Sequence, residues 1–129
     1  MDAFEAIPTY IEAEDFICVH ASVPLSAEKH ILPLAEAETE QLLDDRSFKE
    51  PNVLPKDGKC VLFGHTPTRF IAGASGKDEV IFYPRTENPQ KIKDFYKIHL
   101  DMGTMYSKTL GCLCAETLET FYVSKDEWF

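Results

Sequence analysis

Two short apolar runs, Phe16-Ile17-Cys18-Val19 and Cys60-Val61-Leu62-Phe63, each deliver a histidine from their C-terminal end into a turn of small residues. The first continues as His20-Ala21-Ser22 and the second as Gly64-His65-Thr66-Pro67. Neither run alternates apolar with polar, so each predicts a strand buried on both faces, which requires a sheet covered by layers on both sides. In layered α/β folds, functional groups collect at the carboxyl ends of the strands, where loops open a crevice. Gly64 and Ala21 are small enough to let the backbone approach a ligand. Imidazole is a common ligand for zinc, manganese and iron, and a strand end holds it rigidly. His20 and His65 are therefore the candidate metal ligands. The pattern alone does not separate a ligand pair from two structural histidines. Two ligands also fall short of the roughly four that even a tetrahedral site needs. Asp101 is a third ligand candidate on spacing alone. His30 lies in a predicted surface loop, and His99 alternates onto the face opposite Ile98 and Leu100; neither is assigned a role.

The remaining segments predict a strand-rich chain. Tyr10 to Ala13 reads as a strand, set off from Phe16 by the turn-like pair Glu14-Asp15. Pro24 to Pro33 reads as a loop, and Ala35 to Asp44 as a helix with Leu42 and Leu43 on one side. Glu50 to Gly58 is a loop with Pro51, Pro55 and the turn pair Asp57-Gly58. Gly73 to Asp78 predicts a turn between strands, Val80 to Tyr83 a strand stopped by Pro84, and Thr86 to Asp94 an exposed polar stretch. Ile98 to Asp101 predicts a strand. Leu110 to Ala115 and Thr120 to Val123 predict a hairpin. Several doubly buried strands and one helix do not make a closed set of layers, so another segment is expected to pack against them.

Composition narrows the classes. The 129 residues are 44% hydrophobic and 27% charged, as in a soluble domain with a core of its own. The net charge of −9 repels nucleic acid. The acidic cluster at Glu36, Glu38, Glu40, Asp44 and Asp45 reads as a solvated helix face. No apolar run reaches the roughly 20 residues that span a bilayer. Met1 to Glu5 lacks the basic start of a signal peptide, so a cytoplasmic location is expected. Cys18 and Cys60 sit in apolar runs as small hydrophobes. Cys112 and Cys114 have the wrong spacing for a zinc knuckle and are expected to fill core from one strand face.

Phe16-Ile-Cys-Val-His-Ala-Ser-Val-Pro24 resembles the Val-His-Ala-Gly segment of bacterial Ser/Thr phosphoprotein phosphatases, which are calcineurin-like metallophosphoesterases. Val61-Leu-Phe-Gly-His-Thr-Pro67 resembles their Gly-His-Thr-Pro motif. Ile98-His-Leu-Asp-Met-Gly-Thr-Met-Tyr106, Lys108-Thr-Leu-Gly-Cys-Leu113 and Phe121-Tyr-Val123 are similar to their closing strands. The resemblance spans nearly the whole chain and implies that residues 1–129 are a C-terminal portion of such a domain. The implied fold is α/β (α+β), the strand-rich C-terminal half of a four-layer αββα sandwich. It implies hydrolysis of phosphoric esters at a dinuclear centre, with two divalent transition metal ions (manganese, iron or zinc) per complete domain. A water bridging the two ions attacks phosphorus while metals and arginines neutralise charge.

Carried onto this sequence, the resemblance makes His20 and His65 ligands of the second metal. Arg46 and Tyr106 would bind substrate phosphate, Tyr106 from the lining of the metal pocket, and Asp101 would have a structural hydrogen-bonding role. The family's Trp before the arginine segment is Asp44 here, Ser22 replaces a glycine, and Ser107-Lys108 replaces a Gly-Gly pair. The Asp-x-His, Gly-Asp-x-x-Asp-Arg-Gly and Asn-His-Glu segments, which supply the first metal's ligands and the general acid, do not occur in the sequence. The expected partners are a phosphorylated protein or other phosphate ester, and either the N-terminal half of the domain or a second copy of the chain. Neither nucleic acid nor membrane is expected to bind. No catalytic residue is assigned in this chain, and turnover is not expected from it alone. The alternatives are a nucleoside polyphosphate hydrolase of the same superfamily and a non-catalytic partner-binding module.

Overall fold

The computed structural model describes residues 7–71, 73 and 76–125. Met1 to Glu5 lies outside the described residues, as do Ala74 and Ser75 of the Gly73–Asp78 turn. The described fold is mixed α/β and strand-rich. Its main sheet holds β1 (Tyr10–Glu12), β2 (Phe16–Val19), β3 (Cys60–Phe63), β4 (Ile81–Pro84) and β5 (Phe95–His99), in the order β1-β2-β3-β5-β4. The central strands β2, β3 and β5 run parallel, and β1 and β4 close the edges antiparallel. A separate hairpin pairs β6 (Thr109–Leu113) with β7 (Thr120–Ser124). Among the described residues, no helix is long and apolar enough to cross a membrane.

The main sheet has a core on each side. On one face Ile17, Val19, Val61 and Phe63 pack with Val23, Leu34, Leu42 and Phe48 from the excursion between β2 and β3. On the other, Cys60, Leu62 and Ile98 pack with Val80, Ile92, Phe95 and Met102. Every residue of β3 is buried, as its unbroken apolar run predicts. Each aliphatic or phenyl side chain so buried contributes about 1.5–3 kcal/mol of transfer free energy.

Several expectations are corrected. In β2, Ile17 and Val19 are buried, whereas Phe16 and Cys18 on the opposite face are half-buried. The helix predicted over Ala35–Asp44 is broken. A 3₁₀ turn covers Leu34–Glu36, Ala37 and Glu38 are extended, and α1 covers Thr39–Asp44. A helix this short has little stability of its own, so burial of Leu34 and Leu42 sets the path of the chain. The third parallel strand ends at His99, placing Asp101 in the loop beyond it. Thr86 to Asp94 is not wholly exposed, since Ile92 joins the core. Cys112 is exposed and Cys114 half-buried, because Gly111 and Leu113 take the inward face of β6; Gly111 presses on Met102.

Candidate metal site

The parallel register sets Cys18 beside Leu62, so β2 and β3 end side by side. One step further, the Gly64 N–H donates to the His20 carbonyl at 2.8 Å. His20 and His65 thus emerge from neighbouring parallel strands at the same end of the sheet. The Ala21 N–H donates to the Leu42 carbonyl at 2.8 Å, which ties the His20 turn to α1. Gly64 is needed for a close approach. A Cβ built there would lie 3.3 Å from the Asp101 Cβ, tighter than most side-chain contacts.

His20 Nε2 and His65 Nδ1 are 3.0 Å apart, with the rings edge to face at 4.9 Å between centroids. His65 holds φ at +74°, a left-handed conformation that a residue with a Cβ adopts at a cost. Its Nε2 is buried without a hydrogen-bond partner, and the nearest carboxylate oxygen, of exposed Asp44, lies 3.7 Å away. A proton on Nε2, toward Asp44, leaves the Nδ1 lone pair aimed at His20.

The pair fits a transition metal by its donor set and by its bite. Nitrogens about 2.0–2.1 Å from a zinc-like ion, at angles of roughly 90–110°, lie about 2.9–3.4 Å apart. Without metal, the same separation suits one imidazole N–H donating to the other ring. Among the described residues, no group of three or more His, Cys, Asp and Glu side chains gathers to hold a metal. The two histidines supply two nitrogens, and further ligands would have to come from solvent or from another segment.

The other candidate residues lie around the pair. His20 and His65 share one cleft of ≈ 360 Å³, floored by Cys18, Leu62, Leu100, Met102 and Leu110. His65 also borders a second cleft, of ≈ 620 Å³, whose lining includes Arg46, Thr66, Phe70 and Tyr106. Arg46 and Tyr106 therefore open into the same space as His65. Tyr106, on α2 (Thr104–Ser107), is 68% exposed, which excludes core packing as its role. The Asp101 carboxylate accepts from the Gly103 N–H at 2.8 Å, and its carbonyl accepts from the Thr68 N–H at 2.9 Å. That is the hydrogen-bonding role expected of it. His30 is exposed, 3.4 Å from the Asp57 carboxylate and away from the site.

Sequence reasoning assigned no role to two buried groups on β5. His99 is fully buried, stacked on Phe63 at 4.4 Å, and within 2.6 Å of the Thr66 carbonyl. Burial pulls its pKa down to about 4, against the pull of the Thr66 carbonyl and Asp101, so the ring is neutral at pH 7. Lys97 is also fully buried and donates to the Phe48 and Glu50 carbonyls at 2.6 and 2.7 Å. Its ammonium faces the rings of Phe48, Phe63 and Tyr83 at 4.7–5.5 Å. The only hint in the sequence is that both polar residues sit in the otherwise apolar run from Phe95 to Leu100.

No family model, no curated protein and no solved structure matches this chain.

Proposed function

We propose that this chain supplies part of a metal-dependent phosphoesterase site of the calcineurin-like type, in which His20 and His65 hold a divalent transition metal ion. The observation that carries the reading is the 3.0 Å approach of His20 Nε2 to His65 Nδ1 at the ends of two parallel strands. Bound there, manganese, iron or zinc would supply Lewis acidity toward a phosphoryl oxygen and lower the pKa of a bound water. The chain's own residues bind and orient. The two imidazoles fix the ion's place, and the Arg46 guanidinium meets phosphate oxygens in the adjoining cleft. Tyr106 closes the side of that cleft. The ligand count supports a site completed by a further segment. The exposed side chains Leu110 and Phe121 offer that segment, or a second copy of the chain, an apolar surface.

The test is Co²⁺ titration of the full chain, followed by visible absorption and calorimetry, beside a p-nitrophenyl phosphate assay with Mn²⁺. Weak binding is expected, lowered about tenfold or more by His20→Ala or by His65→Ala, with no turnover in either state. Binding indifferent to both substitutions contradicts the metal assignment. Robust hydrolysis that His65→Ala abolishes contradicts the conclusion that the chain holds only part of the site.

A further inference from the structure

His65 meets His20 from a left-handed backbone, and an isolated turn would relax from that conformation. The residues on either side of it are each tied down. Before it, the Gly64 N–H is bonded to the His20 carbonyl. After it, the Thr66 carbonyl lies 2.6 Å from His99 Nε2. A carbonyl only accepts, so Nε2 carries the proton and His99 Nδ1 is the bare nitrogen. That Nδ1 is buried with no partner. Leucine or phenylalanine would fill the space against Phe63 without an orphaned ring nitrogen, which costs about 1–3 kcal/mol. What a hydrocarbon lacks is the donor to Thr66.

We propose that His99 is a positioning residue for the metal site: its Nε2–H clamps the Thr66 carbonyl and thereby keeps His65 Nδ1 aimed at His20 Nε2. The clamp rests on the metal reading only for what His65 is used for. The strand order makes it possible, since β5 lies beside β3 with His99 in register with Phe63, two residues before the strained histidine. His99 touches neither metal nor substrate on this account. It acts through one carbonyl.

The test uses the full chain, ¹⁵N-labelled, and reads the imidazoles by NMR without metal, with Co²⁺ affinity as a second readout. In the wild type, His99 is expected as the Nε2–H tautomer with a proton protected from exchange, and the rings of His20 and His65 are expected to show an NOE. His99→Leu should lose that NOE and weaken Co²⁺ binding about tenfold. His99→Gln, whose amide can donate to Thr66, should keep the NOE and recover most of the affinity. An Nδ1–H tautomer in the wild type overturns the proposal, and so does a folded His99→Leu chain with NOE and Co²⁺ affinity unchanged. Should the leucine variant fail to fold, the wild-type tautomer and the glutamine variant decide, and loss of the NOE in His99→Gln counts against the clamp. A wild type with the Nε2–H tautomer and an NOE that His99→Leu abolishes, but with no Co²⁺ binding, contradicts the metal reading alone and still supports the clamp.

Discussion

Two left-handed residues show how differently strain can be placed. At His65, φ of +74° falls where the ring is needed, between two tethered neighbours. At Lys108, φ of +61° falls at the C-cap of α2, a position that favours glycine. Lys108 Nζ donates to the Met105 carbonyl at 2.9 Å, but this contact is exposed and offsets little of the roughly 1 kcal/mol of backbone strain. Lys108→Gly is therefore expected to raise stability by about 1 kcal/mol, read as a higher urea midpoint at unchanged slope. A lower midpoint would show that the lysine contact outweighs the strain. Gly103 is the converse case. Its φ is +60°, and a Cβ there would meet the Pro67 Cβ at 2.9 Å, so Gly103→Ala should destabilise by about 1–3 kcal/mol in the same assay. His20 and His65 were legible in the sequence because each follows an apolar run into a small-residue turn. His99 and Lys97 were not, because alternation assigns a residue to a face but does not say whether that face is covered.

At the level of elements, the strands were legible and the helix only in its second half. An apolar run bounded by turns reports a strand through local sequence alone, and β1, β2, β3, β4 and the β6–β7 hairpin lie within a residue or two of their expected limits. The segment from Ala35 to Asp44 has good helix formers, yet it is extended at Ala37 and Glu38 because Leu34 and Leu42 both reach the core. Tertiary burial overrode propensity there. The third parallel strand starts three residues early because Phe95 packs on the far face of the sheet, which its position after a polar stretch concealed. Leu42 joins this level to the site, since its side chain is in the core and its carbonyl holds the Ala21 N–H beside His20. Leu42→Ala should cost about 2–5 kcal/mol in urea unfolding. In NMR it should also raise the exchange rate of the Ala21 amide. An unchanged Ala21 amide would show that α1 does not brace the His20 turn.

For the molecule as a whole, two buried bases set the dependence of stability on pH. Desolvation pulls the Lys97 ammonium from 10.5 down to about 7, against the opposing pull of Glu50. Between those values the unfolded chain binds a proton that the folded chain has released, so stability rises with pH from about 7, by at most about 1.4 kcal/mol per unit. His99 acts likewise in acid. Its ordinary value of 6.5 is lowered to about 4, so stability falls as pH drops through that window and changes no further from this group below it. Above pH 9 the Cys60 thiol, pushed up to about 12 by burial, works in the opposite direction. Urea midpoints should therefore climb from pH 5 to pH 8.5, and Lys97→Met should flatten the upper part of the rise. A midpoint that stays flat between pH 7 and 8.5 would mean that the carbonyls and rings around Lys97 keep it charged. The central claim is that the two imidazoles ending β2 and β3 hold one metal ion. Its most direct measurement is a crystal of the full chain grown with Mn²⁺ or Zn²⁺ and recorded at the metal's absorption edge. An anomalous peak bonded to both His20 Nε2 and His65 Nδ1 is expected; rings still bonded to each other at saturating metal, with no peak between them, would contradict it.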